Sequence, residues 1–484
     1  MSELQRQHPA AALAKSFDII RQNIITVLVI LFIGGGGEQS SFTLYWLGGS
    51  FLFLLIWGIA SWYRFRFRVE EGELTIEHGV IIKKKLYLTS DRIQVIDISA
   101  GVVQRLFGLV AVEVKTAGST SKQAKINAIS RQRAEELKRL LRSKENLSTE
   151  VGETNKTDEK IYALEKQDLL VAATTSGQLG VALSVVGGAF SQLDQIVSEE
   201  QMIRFVENNI PRATSLTVIL ATIIVALVVS WGFSFLSTII KYYDFEVVVR
   251  NDELLISRGL FERTQLTIPF DRIQAVQIKE ELLRQPFGYA SLVIESAGYG
   301  EKEGNSATLF PIIHKHKMFE FIDEVIPEYH VQVKDRAGIS RLGLRRYLLR
   351  MLWITLPAIA LGWAFVPYGV FAWVLLVPAL VLGYQQWRDA EVASAENTLV
   401  MTSRLLSKTT AIIKKYRMQA TRITQNPFQS RLDLCNLTVY VASGNQGRSF
   451  TVRELTEQHA FDYRDWLAGD SNSQKDSTDT DFKP

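Results

Sequence analysis

Long uncharged apolar runs alternate along this chain with segments whose apolar residues recur at every second position. The first run, 24–33, is extended by Gly34–Gly37; after the break Glu38–Ser41 a second run follows over 42–62. A bilayer core needs about 20 apolar residues per helix. The second run meets that length. The first meets it by starting near Ile19, with Arg21 snorkelling to the interface. The short break predicts an antiparallel transmembrane hairpin over 19–62. A second hairpin is expected over 168–240. Its first arm, 169–190, is diluted by Thr174, Thr175, Ser176, Gln178 and glycines; its second, 216–240, is the most apolar run of the chain, and a polar outer loop, 191–212, joins them. A third hairpin, over 346–387, turns at Pro367-Tyr368-Gly369.

Between the hairpins the period changes. Arg64, Arg66 and Arg68 alternate with Phe65, Phe67 and Val69, which marks a strand. Short β-branched segments then run to Gly118, punctuated by Gly72, Gly79, Asp91 and Gly108. An amphipathic helix follows at about 129–144, with Ala134, Leu137, Leu140 and Leu141 on one face. The pattern predicts several antiparallel strands closed by one helix over 63–144, again over 241–330, and a third time over 388–468. Residues 145–167 read as a polar linker and 469–484 as an acidic, disordered tail.

The strand-rich segments are copies of one another. DRIQVIDISAGVVQRLFGLVAVEVKTAG from Asp91 matches DRIQAVQIKEELLRQPFGYASLVIESAG from Asp271 without a gap, at an offset of 180. Phe107-Gly108 falls on Phe287-Gly288, which predicts an aromatic in the core beside a tight turn. A third, worn copy aligns Arg431–Gly444 with Arg105–Gly118 at an offset of 326, and Arg417-Met418-Gln419 with Arg92-Ile93-Gln94 at 325. That reading gains one residue between the two stretches and replaces Phe-Gly by Asp433-Leu434.

Charge separates the copies. Residues 62–144 carry 17 Lys/Arg against 9 Asp/Glu, residues 241–326 carry 10 against 14, and residues 385–467 carry 11 against 8. Basic flanks follow the hairpins or precede them, as at Arg341, Arg345, Arg346 and Arg350. By the positive-inside rule the N-terminus and all three β-rich segments share the cytoplasmic side of the cell (inner) membrane. The overall net charge of +3 gives no argument for nucleic acid. One cysteine, Cys435, excludes an internal disulfide or a cysteine-based metal site and reads as a small buried hydrophobe. His314 and His316 lack a third ligand in reach, and no nucleophile elbow, phosphate loop or Cys–His pair is present. No cofactor, metal or catalytic residue is expected, and the chain reads as a non-enzyme.

DRIQ at Asp91–Gln94, Phe107-Gly108, Ala117-Gly118 and their copies from Asp271 resemble the membrane-flanked bacterial pleckstrin-homology-type domains of the YdbT-like proteins. The resemblance implies a multi-pass α-helical membrane protein with three cytoplasmic PH-like β-sandwich domains (α+β), each capped by a C-terminal helix. It also implies a smaller membrane protein of the same domain family as partner, and a role in envelope stress or antimicrobial resistance. The candidate contacts to a partner or to anionic phospholipid headgroups are Arg64, Arg66, Arg68, Lys83, Lys84, Lys85, Arg92 and Arg272. A basic residue close to an anionic leaflet contributes on the order of 1 kcal/mol. A scaffold fits these features; the alternative is a transporter or exporter component for a membrane-active compound, which the near absence of charge within the apolar runs disfavours.

Overall fold

The structure is a computed structural model that describes residues 4–22, 40–70, 72–90, 93–116, 124–141, 159–176, 215–250, 253–297, 306–331, 335–365, 369–395, 397–443 and 447–476. The chain forms two compact units, Met1–Pro269 and Phe270–Pro484, so the division falls inside the second repeat.

In the first unit β1 (Gln5–Arg6) precedes α1 (Ala10–Gln22) and α2 (Ser40–Arg64). Then come β2 (Arg66–Glu70), β3 (Glu73–His78) and β4 (Lys84–Thr89). These four strands form one antiparallel sheet in the order β1-β2-β3-β4. The chain continues through β5 (Ile93–Ala100), the short α3 (Val102–Leu106), β6 (Leu109–Thr116), β7 (Ala124–Ser130) and α4 (Arg131–Leu141). Alternation puts Phe67, Val69, Leu74, Ile76 and Leu88 on the inner face of the first sheet. They pack with Val112, Val114 and Ile126, and with Ala134, Leu137 and Leu141 of α4. The second repeat opens with β8 (Lys160–Ala163), α5 (Lys166–Thr174), α6 (Ser215–Tyr242), β9 (Glu246–Arg250), β10 (Glu253–Arg258) and β11 (Arg263–Pro269).

The second unit holds β12 (Ile273–Glu280), β13 (Tyr289–Ser296), β14 (Ser306–His314) and α7 (Lys315–Val325). The third repeat follows: β15 (Asp335–Gly338), α8 (Arg341–Phe365), a 3-10 turn (Gly369–Leu375), α9 (Leu376–Asp389), β16 (Glu391–Ala395), β17 (Thr398–Arg404) and β18 (Lys408–Lys414). It ends in β19 (Met418–Thr424), α10 (Pro427–Ser430), β20 (Leu434–Val441), β21 (Arg448–Thr456) and α11 (Glu457–Asp476).

Each repeat thus starts one strand before its helices. The helices are inserted between the first and second strands of a four-stranded sheet, because β8 pairs with β9 and β15 with β16 just as β1 pairs with β2. The expected linker over 145–167 therefore contains a strand, Lys160–Ala163. Four residues of weak alternation, KIYA, are too short to announce it without their partner. Likewise the first helix starts at Ala10, well before residue 19. Ala10, Ala11, Ala12 and Ala14 are buried, and Ala10 and Ala11 pack on Leu109 and Ala128. Small side chains let the helices approach: a Cβ on Gly58 of α2 would lie 2.8 Å from Ser16 Oγ and 3.1 Å from the Ala12 carbonyl. In the third hairpin a Cβ on Gly383 would lie 3.1 Å from Met351.

Among the described residues three helices are long and apolar enough to cross a membrane, over Ile223–Tyr242, Arg341–Ala364 and Gly369–Asp389. The 25-residue α2 leaves Tyr45, Leu52, Phe53, Ile56 and Ile59 exposed. Most of the first arm expected for each of the first two hairpins, the loop 191–212 and Pro367-Tyr368 lie outside the described residues.

The repeats are joined edge to edge. In the first unit β5 pairs with β11, setting Ala100 opposite Arg263 and Ile98 opposite Gln265. In the second unit β12 pairs with β18, setting Glu280 opposite Lys408 and Ile278 opposite Thr410. The 180-residue offset carries Ala100 to Glu280, and the 145-residue offset from the second repeat to the third carries Arg263 to Lys408, so both junctions have one register. Each unit then contains a seven-stranded sheet, β7-β6-β5-β11-β10-β9-β8 and β14-β13-β12-β18-β17-β16-β15.

The third copy is less worn than its sequence suggests. Met418 pairs with Val441 as Ile93 pairs with Thr116, an offset of 325 at both ends, so no residue is gained. At that offset Asp433, not Leu434, stands where Gly108 and Gly288 stand. It adopts their left-handed backbone, φ 51° against 64° and 70°. Asp is among the few non-glycine residues that enter this region readily, which hid the match. Phe107 and Phe287 are not core residues: they are 48% and 64% exposed. The glycine turn sends the chain back into the next strand and leaves the ring outside it. The tail also starts late, since α11 continues to Asp476.

Candidate functional site

Strand register decides which basic residues gather. Arg66 follows α2 by two residues and pairs with Glu77, which also pairs with Lys85 on β4. Successive strand residues point to opposite faces. With Phe67, Val69, Leu74 and Ile76 turned inward, Arg66, Arg68, Glu77, Lys85 and Tyr87 occupy the outer face. Arg6 of β1 pairs with Arg66 and joins them, its guanidinium 4.6 Å from the Tyr63 ring centre. Lys85 Nζ lies 2.7 Å from Glu77 Oε1, and Arg68 Nη1 lies 3.2 Å from Glu70. The hydrogen bond from Lys85 holds the Glu77 carboxyl below the usual carboxylate range. The face therefore remains charged at neutral pH and carries more cations than anions.

The same register puts the β3–β4 turn level with the end of α2. At its tip Ile81 and Ile82 are 80% and 71% exposed, immediately before Lys83-Lys84-Lys85. The turn starts at Gly79, φ 114°, where a Cβ would collide with the Ile82 carbonyl at 1.9 Å. The other repeats repeat this placement. Gly259 N–H donates to the Tyr243 carbonyl and Leu260 N–H to the Ile240 carbonyl, both at 2.9 Å, seating the β10–β11 turn on the end of α6. Gln386 Nε2 of α9 donates to the Leu405 carbonyl at 2.8 Å, seating the β17–β18 turn in the same way. Exposed apolar residues mark these tips too, Phe261 in one and Leu405 and Leu406 in the other.

Of the residues expected in the site, Arg66, Arg68 and Lys85 share the outer face. Arg64 closes α2, Lys83 lies in the turn, and Lys84 points to the other face, opposite His78. Arg92 is outside the described residues. Arg272 belongs to the second unit, on the turn Phe270–Arg272, with Nε 3.8 Å from Asp271 Oδ2. Sequence reasoning missed Arg6, Ile81 and Ile82. The signal for the isoleucines was an apolar pair inside a glycine-started turn, where a soluble hairpin carries polar residues. The basic run before the third hairpin is partly folded inward: Arg346 and Arg350 of α8 reach the buried Glu454. Cys435 is buried on β20, and burial pushes its thiol up to about 11.

The profile of the bacterial PH domain matches residues 11–145, 210–327 and 347–471. The chain belongs to the bacterial PH domain family. The first and third matches begin within α1 and α8, and the second just before α6. The chain is also 33% identical to the UPF0699 transmembrane protein YdbT of Bacillus subtilis (strain 168) over 489 aligned positions, covering 97% of this chain and 99% of that protein. No solved structure matches it. It is a membrane protein with multiple PH-like β domains.

Proposed function

We propose that this chain is a non-enzymatic, multi-pass scaffold of the cell (inner) membrane. Three hairpins span the bilayer, and three PH-like domains lie on the cytoplasmic side. The first domain docks on anionic lipid headgroups through Lys83, Lys85, Arg66, Arg68 and Arg6. The observation that carries this reading is the exposed Ile81-Ile82 tip, followed by three lysines, level with the end of an apolar helix. An isoleucine left in water forgoes about 1.5–3 kcal/mol of burial. Two together beside lysines match the chemistry of a headgroup boundary, apolar below and anionic above. The basic arginine flanks support the cytoplasmic orientation. Among the described residues the PH-like domains offer broad strand surfaces and no cluster of His, Cys, Asp and Glu that could hold a metal, which supports binding rather than catalysis.

The test uses the full chain, with Ile82→Cys carrying an environment-sensitive dye, in nanodiscs of zwitterionic lipid with and without anionic lipid. Anionic lipid is expected to shift emission to the blue and to shield the dye from an aqueous quencher. Lys83→Glu with Lys85→Glu is expected to remove that difference. Equal emission in both lipids, unmoved by the charge reversal, overturns the reading.

A further inference from the structure

The two internal junctions show what kind of surface an unpaired edge of this chain presents. At each, the second sheet of one repeat (β5 or β12) adds the four-stranded sheet of the next through β11 or β18, in one shared register. Among the described residues two edges of these types have no strand beside them. One is β4, the counterpart of β11 and β18. The other is β19, the counterpart of β5 and β12.

These two edges differ in chemistry. Where β11 has Thr264-Gln265 and β18 has Thr409-Thr410, β4 has Lys84-Lys85, both exposed. Lysine on an edge strand is a common device against strand addition, because pairing would desolvate the ammonium groups and crowd them. The β19 edge carries no lysine and a single charge, Arg422. Ala420, Arg422 and Thr424 are exposed along it, and Met418 and Ile423 pack on the core beneath, which holds the strand in place. Carried over to β19, the junction register sets Thr424 opposite residue 84 of an incoming β4-type strand, Arg422 opposite 86 and Ala420 opposite 88. Lys84 would then share one face with Arg422 on the diagonal, so the chain's own β4 is a poor occupant. Like charges at such positions destabilise a strand pair.

We propose that the β19 edge is a strand-acceptor site, and that it takes the edge strand of a PH-like domain on a separate chain, one neutral at the two positions where β4 carries Lys84 and Lys85. The lysines keep second copies of this chain out. The site extends a junction that the protein already makes twice within itself, by β-augmentation. It gives the scaffold reading a partner chemistry, but its geometry is independent of lipid contact.

The experiment uses a second copy with a neutralised β4 as the probe. The purified full chain is placed in an uncharged detergent, so that any loss of headgroup contact leaves the readout unmoved, and its protein mass is measured by light scattering. Wild type is expected to keep single-chain mass. K84T/K85Q, which gives β4 the neutral residues of the paired strands, is expected to shift to multiples of that mass. Adding A420K/T424K on β19 is expected to return it to single-chain mass, whereas Q458K/H459K on the exposed face of α11 is expected not to. Three outcomes overturn the proposal: K84T/K85Q staying at single-chain mass while circular dichroism shows it folded, association that persists with A420K/T424K, or wild type forming the same multimers.

Discussion

Glu454 Oε1 lies 2.8 Å from Arg350 Nη2, joining a strand of the third PH-like domain to a helix apolar enough to cross the membrane. Arg346 Nε reaches the other carboxylate oxygen at 2.6 Å. Glu454 is 1% exposed and sits in the left-handed backbone region, φ 59°, which turns its side chain toward α8. Gln429 Nε2 adds a hydrogen bond at 3.2 Å. Removing one member of a buried ion pair costs up to about 3–5 kcal/mol, and Arg346 and Arg350, left behind here, are 19% and 27% exposed, which lowers that cost. Glu454→Ala is therefore expected to lower the unfolding temperature of the third domain sharply. Glu454→Gln keeps the shape without the charge and should fall between. Thermal unfolding of the full chain in detergent, followed by protease resistance near residue 454, checks this.

Asp433 occupies a position that two sister repeats give to glycine. Its carbonyl also accepts the Glu457 N–H at 2.9 Å, tying the turn to the start of α11. Left-handed backbone costs an ordinary L-residue roughly 1–2 kcal/mol. Asp433→Gly is expected to be neutral or slightly stabilising, and Asp433→Ala to cost about 1 kcal/mol. A chemical denaturation series that ranks Gly at or above Asp, with Ala below both, is the expected result.

Gly259 sets the turn that rests on α6. At φ 113° a Cβ would lie 2.1 Å from the Glu262 carbonyl, with no flexible side-chain end to give way. Gly259→Ala is expected to cost at least about 2 kcal/mol. It should also loosen the hydrogen bonds from residues 259 and 260 to Tyr243 and Ile240, measurable as faster amide exchange at those two positions.

Glu295 should make stability depend on pH. It is buried on β13, and burial raises its pKa, while the Ser443 hydroxyl donates to it at 2.7 Å and Gln277 donates to its other oxygen. A carboxyl whose folded pKa exceeds its unfolded value binds more protons when folded. Its contribution is therefore full below the ordinary glutamate pKa and declines as pH rises through the raised one. The slope inside that window is at most about 1.4 kcal/mol per pH unit. Glu295→Gln is expected to flatten this part of the profile. Equal slopes in wild type and variant would show that the carboxyl does not titrate as described.

Much of the architecture is legible in the chain itself because it rests on local periodicity. Alternation of Phe65, Phe67 and Val69 with arginines gives β2 and its inward face. The spacing of Ala134, Leu137 and Leu141 gives the buried side of α4, although Leu140, read on the same face, is 43% exposed. The 180-residue offset gives the duplication without reference to any partner. The site is legible in part: Lys83, Lys85, Arg66 and Arg68 stand out by charge, but Arg6 joins them only because β1 pairs with β2.

What the sequence determined by itself is therefore the inventory: apolar helices, copied strand-rich segments, closing helices and a basic first copy. Each of these follows from side-chain periods and composition within a short window. Tertiary structure alone decided the connections between copies. KIYA at 160–163 becomes a strand because β9 lies beside it, Arg350 turns inward because Glu454 is buried next to it, and β5 meets β11 across more than 150 residues of chain. Hydrogen bonds between distant strands leave no mark on local periodicity, so only the folded chain reveals which strands meet.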